Sequence, residues 1–187
     1  DGAIVFTARR HAGDSPRHYR ARIGATLIMR EIFDSTVERL FSDLVTPDAV
    51  LASESGRWPT ALWKAVEESG FTLALAPESS GGAGAGWSDV CGVLRLAGRF
   101  NLPLPLAEAI LANWLLCRCG LAAVGGPISF APRAELCVEG GRVSGRAFEV
   151  PWGRSVDGVV ALLPGEAPQL VLLAREGAGL ECGANIA

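Results

Sequence analysis

The stretch LALAPESSGGAGAGWSDV, residues 73–90, decides how this chain is read. It sets Gly81, Gly82, Gly84 and Gly86 between an apolar run and a helix start. Glycine-rich turns of two kinds cradle phosphates. A dinucleotide turn needs G-x-G-x-x-G after a strand. Counted from Gly82 the last glycine falls on Trp87, and counted from Gly84 it falls on Asp89. A nucleoside-triphosphate loop needs Gly-Lys and then Ser or Thr, yet Lys64 is the only lysine of the chain. Neither pattern is met. The expectation is a tight turn with exposed backbone between two helices, entered at Pro77 and running from Ser79 to Gly86.

Outward from this turn the first half reads as helices. Phe33, Val37, Leu40 and Leu44 fall at steps of four, three and four, one helical stripe over residues 29–45. Thr46 then caps a new helix with Pro47 at its first position. Trp58 and Pro59 repeat the restart, Leu62, Trp63 and Val66 give an apolar face, and Gly70 stops it. Past the glycines, Ser88 is the expected cap of a helix carrying Val90, Val93, Leu94 and Ala97. Leu106, Ile110, Leu111, Trp114 and Leu115 form the next face, ended by Gly120.

The second half changes character. AAVGGP, residues 122–127, reads as a hinge. Short apolar runs follow: ISF, ELCV, RVSG, FEV, VVALL and LVLLA. VEGGRV, residues 138–143, is a hairpin signal, because both central positions of a two-residue turn want positive φ. LPGEAPQ, residues 163–169, is a second turn. Helices followed by strands argue for an α+β chain: a helical domain over residues 29–124, then an antiparallel β-domain over 125–187. Residues 1–28, with five arginines and two aspartates, read as a leader or an out-of-family segment.

Composition narrows the function classes. With 187 residues, 49 % hydrophobic and 20 % charged, the chain can build a sizeable core. A net charge of −3 argues against a nucleic-acid binder, which needs a basic face. No apolar run reaches membrane-spanning length. Five cysteines without a disulfide-scaffold spacing fit a reducing, cytoplasmic setting. Cys117 and Cys119 are too few for a metal site, and His11 and His18 are distant in sequence. Glu78, Asp89 and Glu108 read as solvated charges at helix starts or surfaces, so no catalytic residue is assigned.

The order of the pieces carries a resemblance. Residues 62–116, LWKAVEESGFTLALAPESSGGAGAGWSDVCGVLRLAGRFNLPLPLAEAILANWLL, resemble the N-terminal helical domain of the acyl-CoA dehydrogenase family. That family has a helix ending in Gly, an apolar segment, PE..GG.G and a further helix, and Pro77, Glu78, Gly81, Gly82 and Gly84 fit the turn. VSGRAFEVPWGRSVDGVVALL, residues 143–163, looks like the family's middle β-domain, and GANIA, residues 183–187, resembles the exit from it. The resemblance covers roughly residues 29–187.

The resemblance implies an oxidoreductase of lipid metabolism. Its members bind FAD and an acyl-CoA thioester, remove the α-proton and pass the β-hydride to the flavin. It places the base in a C-terminal helical bundle that the chain lacks, so these residues alone are expected to be inactive. It implies a homo- or hetero-oligomer with neither nucleic acid nor a membrane span. It assigns Pro77, Gly81 and Gly82 to the acyl entrance, and Pro132 and Trp152 to the cofactor side.

The cofactor side departs from the pattern. The family's TEP..GSD signature is here FAP followed by RAEL, so only Pro132 agrees. The family's flavin-contacting Trp-x-Thr falls on Glu149 and Pro151, with Trp152 displaced. The leading expectation is the N-terminal part of an acyl-CoA dehydrogenase-like flavoprotein. The alternatives are a non-enzymatic subunit or interaction module in a complex of unlike chains, and a flavin-dependent oxidase or monooxygenase of the same fold.

Overall fold

Thr46 and Pro47 start a helix as their chemistry requires: the Thr46 Oγ1 accepts the Ala49 amide at 3.2 Å, and proline fills the first helical position. The structure is a computed structural model. It describes residues 34–163, 169–176 and 181–183, and the backbone of strand β1, Ala3–Thr7. Among the described residues the α-helices are α1, residues 34–44, α2, Pro47–Glu54, α3, Thr60–Glu68, α4, Trp87–Arg99, and α5, Leu106–Arg118. Strands β2, Ile128–Ala131, β3, Arg133–Glu139, β4, Arg142–Phe148, β5, Gly158–Leu163, and β6, Gln169–Ala174, follow.

The chain forms two compact units, one of residues 10–107 and one of residues 1–9 with 108–187. That division falls inside α5. Asn113 ties α5 to the segment that leads into β2. It is buried on α5, donates to the Val124 carbonyl at 3.3 Å and accepts the Val124 amide at 2.8 Å. The segment read as a hinge is therefore anchored to α5 by a side chain that satisfies both backbone groups of Val124. Strand β1 lies within the segment read as a leader.

In the helical unit Leu62, Trp63 and Val66 are buried as expected, and Gly70 stops α3 at φ 79°. On α1 the buried pair is Val37 and Phe41, while Leu44 is 37 % exposed and Phe33 lies outside the described residues. Phe41 meets the edge of Phe100 at 6.0 Å, an aromatic contact that outweighs the i, i+4 stripe. Arg99 on α4 donates to Glu38 on α1 at 2.8 Å. Ser88 does not cap α4; Gly86 is the cap residue, and Asp89 supplies the bond. On α5 the fully buried residues are Leu106, Ala109, Ile110, Ala112, Asn113 and Leu116, so the buried face is turned from the expected Leu111, Trp114 and Leu115.

The β unit holds a four-stranded sheet in the order β1-β6-β5-β2 and a separate β3–β4 hairpin. Gly140 and Gly141 make the hairpin turn at φ 56° and 77°, as the sequence signal requires. FEV is no separate strand: β4 continues to Phe148, and Glu149 breaks it at φ 55°. Most pairs are antiparallel, but β2 and β5 run parallel, with Ile128 opposite Gly158 and Ala131 opposite Ala161. The hairpin explains this, since it leaves and returns between β2 and β5 as a crossover. The second expected turn, residues 163–169, lies largely outside the described residues. Ala131, Val156, Val159, Ala161, Leu163 and Val171 form the core of this unit.

Candidate functional site

The glycine loop is a closed turn. From residue 81 to residue 86 every amide has a partner inside the loop or at its edges. Gly81 donates to Glu78 O at 3.0 Å, Gly82 to Pro77 O at 3.1 Å, and Ala83 to Leu73 O at 3.4 Å. Gly84 donates to Ala76 O at 2.9 Å and Ala85 to Ala74 O at 3.0 Å. Gly86 donates to Asp89 Oδ2 at 2.8 Å. A phosphate cradle needs converging amides that are free to donate, and this loop offers none.

The glycines have separate reasons. Gly81 and Gly84 sit at φ 79° and 59°, where L side chains are strained. Gly82 has no such φ, but a Cβ there would overlap the carbonyl oxygens of Ala76 and Leu73. The run 81–86 thus folds back onto the 73–77 segment as closely as backbone allows. Pro77, Gly81 and Gly82 are brought together here, with Pro77 and Gly81 exposed and Gly82 half-buried.

Of the three carboxylates, only Glu78 is exposed. Asp89 is 4 % exposed and holds the Gly86 amide with Oδ2, while its buried Oδ1 has no hydrogen-bond partner among the described residues. Sequence reasoning missed this role; the signal was Asp89 three residues after Gly86, the spacing of a cap reached backwards. Glu108, in the first turn of α5, is half-buried, and burial pushes its carboxyl above the usual range against a weaker opposing backbone hydrogen bond. Two depressions of about 360 and 440 Å³ open on the helical unit, and none of the candidate residues lines either.

On the β unit, Pro132 is exposed at the corner between β2 and β3. Trp152 is half-buried against the β core at φ 58°, and its carbonyl accepts the Ser155 amide at 2.7 Å and the Val156 amide at 3.2 Å. Ser129, fully buried on β2, donates its hydroxyl to Pro151 O at 2.7 Å. A flavin ring contacted as the resemblance implies needs hydroxyl donors and an aromatic face. Pro132, Glu149 and Pro151 supply neither, and the nearby Ser129 hydroxyl is already engaged. The residues at these positions do not fit that contact. Among the described residues no three His, Cys, Asp or Glu side chains gather as metal ligands, and no helix is long and apolar enough to cross a membrane.

Residues 29–125 match the family described as acyl-CoA dehydrogenase, N-terminal domain. A solved structure, a variant of the Tcur3481-Tcur3483 steroid ACAD, is similar at 22 % identity with a TM-score of 0.63, over 79 % of this chain and 48 % of that one. At that identity the likeness is one of fold, a helical domain followed by strands. The chain spans about half the length of that structure's chain, 48 %. No curated protein matches. The family match takes in more than half of the sequence, including α1 to α5 and the glycine loop: the chain belongs to the acyl-CoA dehydrogenase family.

Proposed function

We propose that this chain is the N-terminal part of an acyl-CoA dehydrogenase-like flavoprotein that oxidises an acyl-CoA thioester between its α and β carbons. The observation that carries the reading is the family match over residues 29–125. FAD would accept the β-hydride in the assembled protein. On this reading the proton-abstracting base lies outside these residues, in the C-terminal bundle that the resemblance implies. The exposed residues Pro77 and Gly81 form the loop surface we assign to the acyl chain, with Gly82 shaping the turn beneath it. The solved relative is named a steroid ACAD, so a steroid-bearing acyl group is the first substrate class to try. Free thiols at all five cysteines suit a reducing, cytoplasmic setting.

One observation favours a second reading. The side chains of Pro132, Glu149 and Pro151 give a flavin no hydroxyl donor, which suits a subunit whose unlike partner holds the flavin ring and the base. Purifying the whole encoded protein, alone and with a co-encoded partner, separates the readings. Flavin content per chain and bleaching of flavin absorbance by acyl-CoA are measured. Bleaching by the protein alone supports the first reading. Bleaching only with a partner supports the second. Absence of flavin from every assembly overturns both.

A further inference from the structure

The β3–β4 hairpin has one strand edge that no described residue covers. Gly140 and Gly141 close it as a two-residue turn with both φ positive, so Glu139 and Arg142 form a pair that exchanges both backbone bonds. Bonded and non-bonded pairs then alternate along the ladder. Cys137 with Ser144 and Glu135 with Arg146 bond inward, while the N–H and C=O of Val143, Gly145 and Ala147 point away from β3. Among the described residues none of these outward groups has a hydrogen-bond partner, and β4 pairs with no strand but β3. Arg142, Ser144, Gly145, Arg146 and Ala147 are exposed. A strand with a free row of donors and acceptors is a template for a further strand.

The sequence of β4 is complementary to itself. Antiparallel pairing of two copies about Gly145 overlaps all 7 residues and brings outward groups to outward groups. It sets Val143 opposite Ala147, Ser144 opposite Arg146 and Arg142 opposite Phe148, so no two arginines meet. A slip of two residues one way opposes Arg142 with Arg146, and the other way opposes Arg146 with itself, which like charges disfavour. A slip of one residue would turn the face of Ala134, Leu136 and Val143 in one copy away from that face in the other, although this face packs on the β core. Charges on an edge usually discourage pairing. Here Arg142 already stands across from Glu139 and Arg146 across from Glu135. The arginines therefore leave the full register open and penalise the slipped ones. Arg133 lies over the Phe148 ring at 4.3 Å within the hairpin, and the full register brings Arg142 of the second copy beside that ring as well.

We propose that the free edge of β4 joins the same edge of a second copy of this chain, in one continuous antiparallel sheet whose two-fold axis passes Gly145. This interface is independent of the flavoprotein reading, which stands whether or not the edge pairs.

The experiment uses the whole encoded protein and compares wild type with Ala147→Pro, Ser144→Glu and Ser144→Arg. Amide hydrogen exchange and sedimentation are followed through a dilution series. In wild type the Val143, Gly145 and Ala147 amides are expected to be protected when concentrated and to lose protection on dilution. Ala147→Pro removes an outward donor and none of the hairpin's own. The Val143 and Gly145 amides should then exchange fast at every concentration, while slow Ser144 and Arg146 amides report that the hairpin is still folded. Ser144 stands across from Cys137 in its own hairpin and from Arg146 in the second copy. Ser144→Glu should therefore tighten self-association about fivefold, and Ser144→Arg should weaken it about as much. Protection that does not change with dilution means that the same polypeptide covers its own edge, and protection that needs an unlike chain means a mixed interface. Either outcome overturns the proposal, as do outward amides that stay unprotected at every concentration. Equal self-association of the two Ser144 variants overturns it too.

Discussion

The Asp89 carboxylate accepts the Gly86 amide at 2.8 Å across the first turn of α4 and closes the last open donor of the glycine loop. One side chain therefore caps a helix and fixes the end of a turn. Asp89→Ala is expected to cost about 0.5–2 kcal/mol, the range for a lost N-cap bond. Asp89→Asn keeps an oxygen that can accept and should recover most of it. Chemical denaturation of the three proteins checks the order, and equal midpoints for Ala and wild type would refute the assignment.

Two neighbouring glycines should respond differently. Gly81→Ala puts a methyl at φ 79° with open space around it, so only backbone strain of about 1–2 kcal/mol is expected. Gly82→Ala drives the methyl into the carbonyls of Ala76 and Leu73, and overpacking of roughly 1–3 kcal/mol or more must be relieved by opening the loop. Thermal unfolding should rank Gly82→Ala as the more damaging, and the reverse order would mean that the fold-back is not tight.

The sequence made part of this legible. Thr46, Pro47, Gly70 and the Gly140–Gly141 turn act through local backbone chemistry, so their roles could be read in place. The glycine loop's length and its lack of a phosphate pattern were also visible. Its hydrogen bonds were not, because they join residues 73–77 to 81–86 in a pattern that no spacing rule encodes. The choice of Phe41 over Leu44, and the parallel pairing of β2 with β5, depend on partners distant in sequence. At Pro132 and Trp152 the sequence showed which residue types were replaced, but not the Ser129 and Arg175 bonds that hold the turn.

That tertiary override can be measured on α1. Phe41 is wholly buried and Leu44 is 37 % exposed, although both are large and apolar. Phe41→Ala should destabilise by about 3–5 kcal/mol. Leu44→Ala should stay within about 0.5 kcal/mol of wild type, as surface changes usually do. Similar losses in urea titrations of the two variants would restore the original stripe.

Glu108 gives a pH signature. Burial raises its folded-state pKa above the unfolded value, so the folded chain keeps a proton that the unfolded chain has released. Between those two values stability must fall as pH rises, since the native state binds more protons. Below the unfolded value the penalty is absent. Glu108→Gln should remove this slope and leave the remaining pH dependence in place. Denaturation midpoints collected through the weakly acidic range check it, and an identical slope in the variant would exclude Glu108 as its source.

The pairing of β1 with β6 sets Ala3 against Leu173 and Thr7 against Gln169, near opposite ends of the chain. Closing so long a loop carries an entropic cost that local contacts do not. During synthesis β1 emerges first and finds no companion until β6 has left the ribosome. The nascent protein therefore completes its helices early and its sheet last. Over that interval the apolar segment AIVFT is a natural handle for a chaperone, and a synonymous change that slows translation ahead of residue 169 should lengthen the time it stays available.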